Sequence, residues 1–167
     1  MEFRDLGDLM IVLGIDPGLR IAGYGCVEYV SSSRLPSLIE AGAIKLNTKE
    51  SVSSRLSRLY KDITEIIEEL QPDILAVETI FTHKRQVATA TILGYARGVI
   101  LLAGEQASLP LVELAPTEIK KSVTGSGQAT KEQVQLAITH TLQLHEPPEP
   151  PDVADALAIA ITAAVRS

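Results

Sequence analysis

The hydrophobic pattern changes period along the chain, and each change marks an element. Residues 10–16, MIVLGID, form a short apolar run halted by DPG, as expected of a buried strand that ends in a turn. IAGYGCVEYV (21–30) and LIEAGAIKLN (38–47), separated by the Ser- and Pro-bearing SSSRLPS, predict two further strands in a meander. From about Glu50 to Leu70 the repeat becomes helical. Val52, Leu56, Leu59, Ile63, Ile66, Ile67 and Leu70 fall on one face of an amphipathic helix that stops before Pro72. DILAVE (73–78) is again a short buried strand.

The segment from about 86 to 107 is rich in small residues and predicts a helix, and PLVEL (110–114) a fifth strand. PTEIKKSV predicts a short helix and TGSGQA a flexible loop. Thr130 followed by Gln133 fits a capping box, so a helix should begin there and run to about Leu142. HEPPEPP interrupts it, and Pro151 suits the first turn of a last helix. No internal repeat or long linker divides the chain. The expectation is one domain over residues 1–167, an α/β mixed sheet covered by helices on both faces, with residues 1–9 a flexible extension.

Composition changes this picture little: 46% hydrophobic and 22% charged residues are ordinary for a globular protein. A single cysteine, Cys26, excludes an internal disulfide and a thiolate zinc cluster, as suits a reducing cytoplasm. No uninterrupted apolar run reaches membrane-spanning length, and the polar N-terminus is unlike a signal peptide, so a cytoplasmic protein without a membrane partner is expected. The net charge of -6 argues mildly against a nucleic-acid partner. That objection weakens if several of the acids share bound cations.

The acids stand in telling places. IVLGI ends in Asp16, DILAV ends in Glu78, and the apolar PPDVADALAIAI opens with Asp152 and Asp155, three residues apart. Singly, each has an ordinary explanation: Asp16 an Asx-turn, Glu78 a solvated strand end, Asp152 a helix-dipole partner. Asp155 lies inside an apolar segment, where a carboxylate is costly unless paired or bound to a cation. Asp16 and Glu78 can meet where parallel strands release their C-terminal ends. If the last helix packs there, four carboxylates gather, and a hard divalent cation such as Mg2+ or Mn2+ is their natural counterion.

In order along the chain, GIDPGLRIAGYG (14–25), AVETIF (76–81), GYARGV (94–99), EIKKSVTGSGQATKEQV (118–134) and DVADALAIAI (152–161) resemble the RuvC family of Holliday junction resolvases. The resemblance runs over nearly the whole chain from about residue 10. It implies a ribonuclease-H-like fold with a five-stranded mixed sheet. It also implies Asp16, Glu78, Asp152 and Asp155 as catalytic, metal-binding carboxylates, with two Mg2+ or Mn2+ ions per site. The substrate implied is a four-way DNA junction, cut symmetrically by a homodimer to leave 5′-phosphate ends during recombination and repair. A RuvA–RuvB-type branch-migration complex is the implied partner.

Phe81 falls where the family places an aromatic against bases near the crossover, and Lys120 and Lys131 where lysines serve DNA or the active site. Arg85 joins them as a DNA-binding candidate, although FTHKRQVATATILG is about one residue longer than its family counterpart. For the lysines the alternative is a solvated helix face. Positive charge should concentrate on the DNA side at Arg20, Lys84, Arg85, Arg97, Lys120, Lys121 and Lys131, with helix packing as the other role open to Arg97. Rival readings are a nuclease of structured RNA, a non-catalytic junction-binding protein and a nucleotide-binding domain of actin-like type. The last normally needs two lobes, which 167 residues do not hold.

Overall fold

A computed structural model of the chain describes residues 9–79 and 87–167. Phe81, His83, Lys84 and Arg85 lie outside the described residues. Strands β1 (Leu9–Asp16), β2 (Ile21–Val30) and β3 (Ser37–Lys45) form the expected meander. They are followed by helix α1 (Val52–Leu70), β4 (Ile74–Glu78), α2 (Val87–Gln106), β5 (Leu111–Leu114), α3 (Pro116–Thr124), α4 (Lys131–Thr141) and α5 (Pro151–Arg166). The sheet order is β3-β2-β1-β4-β5. The first three strands pair antiparallel, while β1, β4 and β5 run parallel. Leu9 is already paired with Val30, so the first strand takes up the last residue of the expected extension.

Alternation along the strands divides the molecule into two cores. Val12, Val27, Ala76 and Leu114 face α5, with α3 and α4 beside it. Leu13, Ile15, Leu75 and Val77 face the other way, against α1 and α2. The apolar stripe of α1 buries Leu59, Ile63 and Ile67, and Ser51 caps its start by accepting from the Ser54 amide.

Helix α5 sits unusually close to the sheet. Its inner residues are mostly alanines, and Val153, Ala154 and every residue from Ala156 to Ala164 are buried. The strands beneath offer glycines. A Cβ on Gly14 would lie 2.3 Å from the Ala156 carbonyl oxygen, and one on Gly23 would lie 2.0 Å from that of Asp152. Backbone meets backbone at both positions, and only glycine permits it.

Two expectations change in the folded chain. By length and composition, Val87–Gln106 is long and apolar enough to cross a membrane. Its composition had hidden this, because Arg97 and Glu105 break the run of apolar letters. The helix lies instead along α1, burying Ala96, Ile100 and Ala103, and its outer side is exposed. Arg97, expected among DNA-facing charges or as a packing residue, has the packing role. It pairs with Glu113 of β5, and its Nε donates to the Glu78 carbonyl at 3.3 Å.

Candidate active site

The β1–β4 register, which places Ile15 beside Val77, brings the next residues, Asp16 and Glu78, to the same end of neighbouring parallel strands. By alternation both point to the α5 side, as Gly14 and Ala76 do. Asp16 is also opposite Gly23 in β2, and the Asp152 carbonyl rests on that glycine. Close packing of α5 therefore delivers its first two turns onto the end of β1. Pro151 starts the helix there, so Asp152 falls in the first turn and Asp155 in the next.

The result is a cleft of about 440 Å³ walled by Asp16, Glu78 and Asp155, with Lys120 of α3 and Lys131 of α4. Asp152 lines an adjoining cleft that shares Pro17 and Leu93 with the first. The two acids of α5 thus face neighbouring hollows. Lys131 owes its place to the capping box. Thr130 donates its amide to Gln133 Oε1 at 2.8 Å, Gln133 donates its own to Thr130 Oγ1 at 3.2 Å, and the helix starts at Lys131. Lys131 Nζ stands 3.5 Å from Asp155 Oδ2. Lys120 lines the cleft, whereas the neighbouring Lys121 is exposed.

Crowding shows in the protonation equilibria. Burial, then the charges of Asp155, Asp152 and Glu78, push the Asp16 carboxyl up to about 8, and Lys131 opposes them. Asp155 is raised by burial above all, with Lys131 and Lys120 pulling it back. The donors are all carboxylate oxygens, the ligand type that Mg2+ and Mn2+ prefer. A divalent charge would offset the mutual repulsion, so the residues fit such an ion. Among the described residues, no three acidic, cysteine or histidine side chains stand close enough to hold an ion together. Asp155 is turned to Lys131.

Three features escaped the sequence. The glycines under α5 are visible as letters, but their function depends on what faces them. Arg55 reads as one more polar position on α1, yet its Nη1 donates to the Leu19 carbonyl beside Asp16 at 2.8 Å. The outer face of α2 carries exposed Ile92, Tyr95 and Leu102, an apolar stripe that an excess of small residues had disguised.

Comparison with known proteins identifies the family of the chain. The family model described as "Crossover junction endodeoxyribonuclease RuvC" matches residues 12–163. Curated relatives of that name include one from Desulforamulus reducens, 43% identical over 152 residues, 91% of each chain. Another, from Heliobacterium modesticaldum, is 46% identical over 155 residues, covering 93% of this chain and 94% of that one. The solved structure of Thermus thermophilus RuvC in complex with a Holliday junction substrate superposes with a TM-score of 0.86 at 34% identity. The match covers 94% of this chain and 96% of that one. The chain belongs to the RuvC family of crossover junction endodeoxyribonucleases.

Proposed function

We propose that this protein resolves four-way DNA junctions by hydrolysing one phosphodiester in each of two opposed strands. The observation that carries the reading is the convergence of Asp16, Glu78 and Asp155 on one cleft with two lysines, in a chain of this family. Asp16, Glu78, Asp155 and the adjoining Asp152 would hold Mg2+ or Mn2+, two ions per site. Bound there, the ions supply a more acidic water and neutralise charge on the leaving 3′ oxygen. Lys120 and Lys131 line the same cleft and offset phosphate charge, so the strand can enter beside the three acids. A water oxygen forms the new bond to phosphorus, the bond to the 3′ oxygen breaks, and the products are a 5′-phosphate and a 3′-hydroxyl. Asp16 and Asp155, carried by β1 and the buried α5, would hold the ions in a fixed place, which in turn would orient the phosphate toward that water.

A junction has two equivalent cleavage positions, so a two-fold dimer suits it. The exposed apolar stripe of α2 supports self-association: Tyr95 and Leu102 are each 50% exposed on one side of the helix. Phe81 and Arg85 complete the proposed DNA contacts, the cell compartment is the cytoplasm, and a RuvA–RuvB-type motor would supply the junction. Incubating the protein with a synthetic four-way junction and Mg2+ or Mn2+ tests the reading. Paired nicks that ligase can seal are expected, with linear duplex left uncut. Preferential cutting of folded RNA, or junction binding without cleavage under either metal, would overturn it.

A further inference from the structure

The adjoining cleft, about 530 Å³, is walled by the turn after Asp16, by Asp152, by the start of α2 and by two cations, Arg20 and Arg55. Resting on the nuclease reading, we infer that Arg20 and Arg55 seat a backbone phosphate of the strand being cut, next to the scissile one. Three observations carry this. First, the two clefts share Pro17 and Leu93, so a strand lying across the acids continues into the second hollow.

Second, neither arginine makes an ion pair among the described residues, although the chain carries a net charge of -6. Two acids of the same stretch of chain as Arg55 are engaged elsewhere. Glu50 accepts from Asn47 and Ser54, and Asp62 pairs with Arg58. Asp152 lines the same hollow without pairing with either arginine.

Third, Arg55 is held in a pose with one edge unpaired among the described residues. Its Nη1 is spent on the Leu19 carbonyl, while Nε is buried and has no partner. The Nε–Nη2 edge, the side of a guanidinium that grips two phosphate oxygens at once, has no acceptor among the described residues. A buried donor without an acceptor is unfavourable, and a phosphate oxygen would satisfy it once the guanidinium turns that edge toward the hollow. Arg20 is exposed at the rim, and its carbonyl accepts from the Leu46 amide at 2.9 Å, which ties the turn to the end of β3. One cation is thus preorganised and the other free to close over the ligand.

The test measures junction binding in EDTA, where cleavage is blocked, for the parent chain and for Arg20→Ala, Arg55→Gln and Arg55→Lys. Each protein is paired with junctions carrying one uncharged methylphosphonate at successive positions around the scissile phosphate. Arg20→Ala and Arg55→Gln should each weaken binding several-fold and lower the salt slope by about 1. Arg55→Lys, which keeps the charge without the fork, should fall between. At one neutralised position beside the scissile phosphate, the parent should lose a similar factor and the variants nothing further. Parent-like affinity and salt slope in folded Arg20→Ala and Arg55→Gln overturn the seat. So do losses that persist at every neutralised position. If Arg55→Gln melts early because the Leu19 contact is gone, Arg20→Ala alone decides. A parent chain that neither binds nor cuts junctions overturns the nuclease reading, and this seat with it.

Discussion

The two faces of the sheet solve opposite problems with similar materials. On one, α5 lies backbone to backbone on β1 and β2, with alanines over glycines and no space for another methylene. On the other, α2 is as apolar in composition but buries little of itself, and a Cβ on Gly94 or Gly98 would meet nothing within 4 Å. The first face fixes the helix that carries two acids. The second leaves apolar surface uncovered among the described residues. An apolar helix is therefore not informative by composition alone; what its small residues touch decides whether it is a ruler or an interface.

The sharpest way to break the contrast is at the acids themselves. Asp155→Asn should reduce junction cleavage to background while leaving the fold and junction binding intact. Asparagine keeps the shape but is a poor ligand for a hard cation. Thermal melts with and without Mn2+ should show a smaller metal-induced stabilisation in the variant than in the parent. Near-normal cutting by a well-folded variant would remove Asp155 from the proposed site.

A smaller loss is expected where the ruler rests on the sheet. Gly14→Ala drives a Cβ against the Ala156 carbonyl and the Ala160 amide, neither of which can rotate away. Overpacking of this kind costs roughly 1–3 kcal/mol, and urea midpoints should show it. Cleavage per folded molecule should fall too, because α5 must lift and carry its acids with it. A destabilised protein that still cuts at the parent rate would detach catalysis from this packing.

Asp16 makes the comparison sensitive to pH. Its carboxyl titrates at about 8 when folded against an ordinary 3.8, so the folded chain holds the proton more tightly than the unfolded one. The stability this contributes is complete below about pH 4 and is lost as pH rises through 8. In EDTA the melting temperature should fall across that window, and Asp16→Asn should flatten the slope. Saturating Mg2+ should flatten it as well, since the ionised form then has its counterion.

The smallest effect belongs to the open face. With no clash to pay for, Gly98→Ala should gain about 0.5–1 kcal/mol from helix propensity. If two copies meet along α2, the gain should appear in dilute monomer and shrink or reverse at concentrations where sedimentation shows dimer.

Much of this was legible in the one-dimensional pattern, because the signals were local. A strand stopped by DPG, a helical stripe ending before Pro72 and a Thr130–Gln133 box each announce themselves within a few residues. The gathering of Asp16, Glu78 and Asp155 on one cleft was legible too, since two of them end apolar strands and the third interrupts an apolar helix. What could not be read depends on contacts distant in sequence. Nothing near Arg97 names Glu113 as its partner, and nothing in SVSSRLSRLY reveals that Arg55 reaches the turn after β1. That Asp152 and Asp155 open onto neighbouring clefts depends on what surrounds the start of α5, which helical spacing alone does not contain.

The cap on α4 has a consequence for how this part of the chain can change. Thr130 and Gln133 close the helix start reciprocally, so the position of Lys131 is set from within its own helix. The preceding segment, from Gly125 at φ 83 to Gln128, is tied only by short-range bonds: the Ser126 amide donates to Thr124 Oγ1 and the Gln128 amide to Ser126 Oγ. A change of length there would cost those local bonds but little closure entropy, which grows slowly with loop length, and the cap at Thr130 would remain. The turn and the helix start are thus secured separately, so a change in one need not undo the other.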